Sequence, residues 1–306
     1  MRDYIVRRLL LLIPVGIGVV TLVFLLVHFI PGDPVDLMLG DQAVATEKEI
    51  LRHQLGLDKP LATQYWDYVK GVVRGDLGTS ITTRESVSEE IRSRLPATAV
   101  LALVAMLIAL IISFPIGMIA GWKQYSLIDS FSMLLSLIGV SMPNFWLGPL
   151  LIILFAVYLG WFPISGSGSL AHIFLPALTL GASMAAILSR MIRSSLIEVK
   201  GMDYIRTARA KGVPEGVILA KHALKNALIP VITIAGLQIG ALLSGAIITE
   251  QIFDWPGVGT LLLSGIQHRN YPLVQGCVLI IAFIYVVVNL LADICYATVD
   301  PRIRLS

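Results

Sequence analysis

Six stretches of this chain are apolar over lengths that polar residues scarcely interrupt: 9–30, 97–121, 130–159, 172–197, 227–249 and 274–297. At 1.5 Å of rise per residue, each can cross the roughly 30 Å of hydrocarbon in a bilayer as a helix. The pattern predicts an all-α polytopic membrane protein with six transmembrane helices. In the third stretch, SMPNFWLG sets Pro143 beside Asn144. Proline removes a backbone donor, and in lipid the freed groups need partners, so a single bent span is expected there and not two.

Composition agrees with a membrane solvent. Of the 306 residues, 56% are hydrophobic and 14% carry charge, well outside the soluble globular range. Short cytoplasmic loops collect Lys and Arg. With both ends inside, the cytoplasmic segments hold Arg2, Arg7, Arg8, Lys123, Arg190, Arg193, Lys200, Arg206, Arg209, Lys211, Lys221, Lys225, Arg302 and Arg304, while the short outward loops hold Arg269 alone. Both termini are therefore expected in the cytoplasm. The first run outlasts a secretory h-region and ends in HFIPGDP, without a small-residue cleavage site, so it reads as a retained span. The net charge of +3 is this inner-face bias and implies no nucleic-acid partner. Cys277 and Cys295 stand eighteen residues apart on the sixth span, about 27 Å along a helix, whereas a disulfide needs Cα atoms within about 7 Å.

Three regions are expected: the N-terminus with the first span (1–30), an outward cap (31–96), and a core of five spans (97–306) with a cytoplasmic loop over 199–226. The cap mixes helical stretches (ATEKEILRHQLG, PLATQYWDYVKGVV) with turn signals at Pro31-Gly32-Asp33-Pro34 and Gly75-Asp76-Leu77-Gly78. Thr46 with Glu49 has the spacing of a capping box.

The chain has no GxxxxGK[ST] nucleotide loop, no HExxH and no GxSxG turn. Embedded charge is confined mainly to Asp293, read as interfacial, as is His28; ion-coupled transport has little to work with. On residues alone two other classes stay open. One is a membrane-embedded hydrolase, disfavoured because the spans hold no Ser/His, paired-aspartate or metal constellation. The other is a passive channel or scaffold.

The loop from Asp203 to Pro230, DYIRTARAKGVPEGVILAKHALKNALIP, reads as helix, turn, helix. Asp203 is expected to cap YIRTARA, Gly212 to close it in a left-handed conformation, and Pro214 to open a second helix running towards the fifth span. Tyr204, Thr207, Ala208 and Lys211 recur at helical spacing. Ala208 and Ala210 would let the helix sit closely in a groove, leaving Arg206 and Arg209 to pair with carboxylates. Binding of anionic membrane lipid explains the charge, but not the small residues or the punctuation.

This loop resembles the coupling motif of binding-protein-dependent ABC import permeases, and YIRTARAKG resembles its dipeptide, oligopeptide and nickel branch. Further marks run in order along the chain: His28 with Pro31-Gly32-Asp33-Pro34, Leu55-Gly56-Leu57-Asp58, Gly75-Asp76-Leu77-Gly78, Pro143 with Phe145-Trp146-Leu147-Gly148, Phe253 with Trp255-Pro256-Gly257 and Gly259, and Asp300-Pro301-Arg302. The resemblance implies a type I ABC importer permease fold in a bacterial or archaeal inner membrane. It also implies that Asp203, Tyr204, Arg206, Thr207, Ala208, Arg209, Ala210, Lys211 and Gly212 form a helix seated in a cleft of an ATP-binding subunit. Ala208 and Gly212 match the small residues of the motif. Arg206 stands where the general motif has glutamate, and Leu224-Lys225 where many relatives have Leu-Pro.

The implied partners are a second homologous permease, two ATP-binding subunits and a periplasmic or lipid-anchored solute-binding protein. ATP and Mg would be bound by the ATP-binding subunits, with no cofactor on this chain and no catalysis by it. Peptides, as dipeptides or oligopeptides, are the first expectation for cargo, ahead of nickel chelates, glutathione or another small solute. For the path, Ser141, Asn144, Thr233, Gln238, Ser244 and Asn289 are neutral polar groups in apolar spans, with interhelical bonding as the competing role. Asn144 and Gln238 lead, because one adjoins the Pro143 break and the other lies midway along the span after the loop. Gly117 with Gly121 and Gly236 with Gly240 are close-contact pairs, within the chain or between subunits.

Overall fold

The computed structural model describes residues 2–29, 35, 44–54 and 56–299. Among them the structure is helical, with one isolated antiparallel bridge between Thr79 and Ser86. In chain order the helices are α1 (Arg2–Phe29), α2 (Ala45–Gln54), α3 (Leu61–Arg74), α4 (Val87–Trp122), α5 (Leu127–Ser141), α6 (Asn144–Leu151), α7 (Leu170–Lys200), α8 (Asp203–Ala210), α9 (Glu215–Val217), α10 (Leu224–Ile252), α11 (Val258–Gln267) and α12 (Tyr271–Val299). π-helical segments, Ile152–Tyr158 and Ile218–Ala223, extend α6 and join α9 to α10. The side chains of His28, Ser244, Asp293 and Cys295 lie outside the described residues, as do Pro31-Gly32-Asp33-Pro34, Leu55 and Asp300-Pro301-Arg302.

Four segments are long and apolar enough to cross a membrane: Val87–Trp122, Leu170–Lys200, Glu215–Gly240 and Tyr271–Ala292. α5 and α6 with its π segment make a fifth if the bent pair counts as one. Of the six spans expected, the first is represented by the shorter apolar stretch Leu10–Leu25 of α1. The third is broken sharply, at 107°. Met142 (φ −84, ψ 116) and Pro143 (φ −66, ψ 142) are both extended, the conformation that proline imposes on the residue before it.

The chain divides into two compact units, one comprising Thr98–Trp255 with the chain from Val287, the other Arg2–Ala97 with Pro256–Val286. In the first, missing side chains let helices touch. A Cβ on Gly181 would stand 2.7 Å from the Ala105 carbonyl oxygen, one on Gly117 2.7 Å from that of Ser189, and one on Gly121 2.9 Å from Leu196 Cβ. Residue numbers rise together on both helices, so α4 and α7 run parallel. Gly117 and Gly121 are thus occupied within the chain, as is Gly236, whose Cβ would lie 2.9 Å from that of Ala292.

α5 runs the other way. Asp129 pairs with Arg193, the Ser136 and Ser189 hydroxyls lie 2.9 Å apart, and Gly139 faces Ala186. It returns the chain from the end marked by Trp122 and Lys200 to the opposite end. There Gly148 meets Ile252 and Phe253, and the Gly166 N–H donates to the Phe253 carbonyl at 2.8 Å.

The second unit is fastened by Asn270, which is 1% exposed. Its Nδ2 donates to Ser80 Oγ (2.8 Å) and Thr82 Oγ1 (2.9 Å), while its Oδ1 accepts from the Ile81 N–H (3.3 Å). Asn270→Ala removes a partner of buried Ser80 and two partly buried bonds, at about 1–3 kcal/mol, and is expected to speed proteolysis between Thr79 and Ser86; an unchanged cleavage rate would refute the clamp. Elsewhere in this unit Phe24 packs on Tyr65 and Tyr68, with ring centroids 5.3 and 5.8 Å away. The Tyr68 hydroxyl has no hydrogen-bond partner among the described residues, and burial pushes its pKa up to about 12. Gly75 and Gly78 take positive φ as the turn signal required, but α2 is capped from Val44, whose carbonyl accepts from Glu47 and Lys48 N–H, and not by Thr46.

Candidate functional site

The helix Asp203–Ala210 is set by its two ends. Met202, not Asp203, takes the N-cap position (φ −74, ψ 149), without a side-chain bond. Asp203 is the first helical residue, where its carboxylate still faces the positive end of the helix. At the other end Gly212 adopts φ +74. Its N–H donates to the Arg209 carbonyl at 2.9 Å, and the Val213 N–H donates to that of Ala208 at 3.2 Å. This paired closure needs a left-handed residue, which glycine supplies without steric cost. Pro214 (φ −59, ψ 140) then caps the next helix from outside, and helical structure begins at Glu215.

From Glu215 to Ile252 there is no turn. Short α9, the π segment and α10 succeed one another directly, with Pro230 absorbed inside α10. The second helix, expected to run towards the fifth span, joins it in one continuous rod. No glycine or extended residue parts it, and the extra residue of the π turn takes up the register.

α8 packs on that π segment. Ile205 is fully buried and Ala208 nearly so, as are Ile218 and Ala223 opposite. Ala208 therefore points into its own chain, not outward to a partner's groove. The outward face carries Asp203, Tyr204, Arg206, Thr207, Ala210 and Lys211, all exposed. Arg206 and Asp203 approach to 3.5 Å with both side chains in solvent, a contact of little energetic weight.

Arg209, expected to be free for a partner, is engaged. Its Nε donates to Glu215 Oε1 at 2.7 Å and its Nη2 to Oε2 at 3.4 Å. Its guanidinium carbon lies 5.9 Å from the centroid of the Trp122 ring. Lys200 lies 5.1 Å from that centroid and donates to the Trp122 carbonyl at 2.6 Å. Asn226 Nδ2 donates to the Tyr204 hydroxyl at 2.7 Å, tying α8 to the base of the fifth span.

Two buried carboxylates escaped the sequence reading. Asp129, 3% exposed, accepts from Arg193 Nε (2.5 Å) and Nη2 (2.8 Å) in a forked pair, and its Oδ2 also accepts from the Tyr125 N–H at 3.0 Å. Ser126 caps the same helix end by accepting from the Asp129 N–H. The S-x-x-D spacing was a readable signal for that cap. Glu250, fully buried, accepts from Thr98 Oγ1 at 2.6 Å. Each carboxylate lies one residue outside an apolar run, 130–159 or 227–249, and is buried by the protein itself.

The path candidates are spread over α5, α6, α10 and α12. Ser141 is exposed at the break and Asn144 half-buried as the first residue of α6. Thr233 donates back to the Ile229 carbonyl of its own helix at 3.2 Å. Gln238 is half-buried on α10, and its side chain, like that of Asn144, makes no hydrogen bond among the described residues. Asn289 is half-buried and engaged, and the Ser244 side chain lies outside the description.

Residues 113–305 match the family described as "Binding-protein-dependent transport system inner membrane component", and residues 1–102 match the N-terminal family of such membrane components. Over 304 residues, 99% of either chain, the sequence is 45% identical to the "Glutathione transport system permease protein GsiC" of Escherichia coli (strain K12), and equally to that of Salmonella typhimurium (strain LT2). In fold it resembles a chain of an inward-facing structure of the MetNI methionine ABC transporter (TM-score 0.58, 17% identity, covering 69% of this chain and 96% of that one). A second resemblance is to an amino acid ABC transporter crystallised with histidines (TM-score 0.52, 16% identity, 70% and 94% covered). This chain belongs to the binding-protein-dependent transport system inner membrane component family and is a multi-pass inner-membrane permease of an ABC importer of the peptide and nickel type.

Proposed function

We propose that this permease translocates short peptide-type solutes, with glutathione the first cargo to test, through a path that it completes with a second homologous permease. Glutathione is itself a tripeptide, and the 45% identity to permeases named for it moves it ahead of the dipeptides and oligopeptides favoured on motifs. Two ATP-binding subunits holding ATP and Mg would supply the work, and a solute-binding protein would deliver the cargo. The chain itself would carry out no bond chemistry.

The observation that carries this reading is the outward polar face of Asp203–Ala210 set against a rod continuous into the fifth span. A soluble subunit closing around that face would move α10 without an intervening hinge. Gln238 and Asn144 are neutral, so a path past them exerts little charge selection, leaving choice of cargo to the binding protein.

The test is purification of the tagged chain from its native membrane in mild detergent, then reconstitution with its solute-binding protein and labelled glutathione or dipeptide. Recovery with two ATP-binding subunits and a second permease, and ATP-dependent uptake of glutathione, are expected. Uptake of dipeptide alone would replace the cargo, and a stable, abundant chain recovered without partners would overturn the importer assembly.

A further inference from the structure

The outward face of α8 explains where a soluble motor would grip. It does not explain how the second and fourth spans, which that helix does not continue into, would feel the pull. Trp122 occupies the place where such a link is needed. It is the last residue of α4, so its carbonyl is among those left without an intrahelical partner. Lys200, the last residue of α7, fills that vacancy with its ammonium at 2.6 Å, supplying positive charge at the negative end of α4.

The indole ring also lies within cation–π range of two charges from different elements, Lys200 at 5.1 Å and Arg209 of α8 at 5.9 Å. Arg209 is not loose at that ring, because its forked bond to Glu215 holds the guanidinium from the start of the rod. About two turns back along α7, Arg193 locks the start of α5 through Asp129. A displacement of α8 therefore moves a cation seated beside an aromatic ring that is anchored to α4 and α7, with α5 clipped to the same body.

We propose that Trp122 is a positioning residue for coupling, through which the Arg209 guanidinium passes movement of α8 to the second and fourth spans. This rests on the importer reading above. It predicts that the motor can still bind and hydrolyse when Trp122 is removed, while solute moves less per ATP consumed.

The experiment uses the complete complex in proteoliposomes with its solute-binding protein, recording ATP hydrolysis and uptake together. Trp122→Ala is expected to retain assembly and ATP hydrolysis but to lower uptake per ATP by about tenfold, the size of an ordinary coupling energy. Trp122→Phe, which keeps a ring face for the cations, is expected to restore most of the ratio. Arg209→Lys keeps the charge but loses the fork and the flat guanidinium, and is expected to lower the same ratio should Trp122→Ala not assemble. Unchanged uptake per ATP in Trp122→Ala, or in Arg209→Lys where the alanine variant fails to assemble, would overturn the proposal. So would a Trp122→Phe ratio as low as that of alanine. Failure of the importer reading itself would show differently, as wild-type complex without ATP-driven uptake.

Discussion

Asp129→Ala is expected to destabilise the first unit by about 3 kcal/mol, because removing one partner of a buried ion pair leaves the other charge uncompensated. Asp129 is nearly inaccessible and Arg193 about a quarter exposed, which places the effect towards the lower end of that class. The same carboxylate also accepts from the Tyr125 N–H at the entry to α5, so its loss frees a backbone donor as well. Asp129→Ala combined with Arg193→Leu is expected to be milder than Asp129→Ala alone, since an apolar replacement of both partners removes the orphaned charge. Half-life at a fixed temperature in detergent is the suitable measure, as multispan proteins seldom unfold reversibly. Equal half-lives for Asp129→Ala and the unmodified chain would contradict the clip.

The largest functional effect is expected from the outward face of α8. Arg206→Ala with Thr207→Trp removes a charge and adds bulk where the helix meets solvent, without touching buried Ile205 or Ala208. Loss of copurifying ATP-binding subunits by at least about tenfold is expected, in line with a disrupted interface centre, with uptake falling at least as far. A bulky residue at Ala208 would be a poor version of this test. It would press on the π segment and damage the permease's own packing. A double variant that retains its ATP-binding subunits and full uptake would contradict the docking face.

What could be read from the chain followed physical periodicity and punctuation. Long apolar runs gave the helices, Gly212 gave the end of α8, and Pro143 gave the interruption after α5. The size of that interruption was not legible, because local sequence says that a proline breaks a helix but not what angle the neighbours then permit. The continuity of Glu215–Ile252 was only partly legible: Pro214 marks a helix running towards the fifth span, but the apolar run begins only at 227, and local sequence does not say that the two helical stretches merge through a π turn that adjusts the register.

Which face of α8 turns inward was also beyond the sequence. Small residues suit a groove on either side, and it is Ile205, sharing a face with Ala208, that decides the matter by being buried. The pairings Asp129–Arg193 and Arg209–Glu215 differ in range. Sequence neighbourhood could have suggested the second, six positions apart. The first depends on the antiparallel approach of α5 to α7 and had no signal beyond the cap spacing at Ser126.

The central claim is that the outward face of Asp203–Ala210 meets an ATP-binding subunit. The most direct test is site-specific cross-linking in the assembled complex, with Cys277 and Cys295 replaced and single cysteines placed at Thr207, Ala210 or, as a buried control, Ile205. The account predicts adducts to an ATP-binding subunit from Thr207→Cys and Ala210→Cys, changing in yield with nucleotide, and none from Ile205→Cys. Adducts from Ile205→Cys alone, or none from either outward position in a complex that transports, would contradict it.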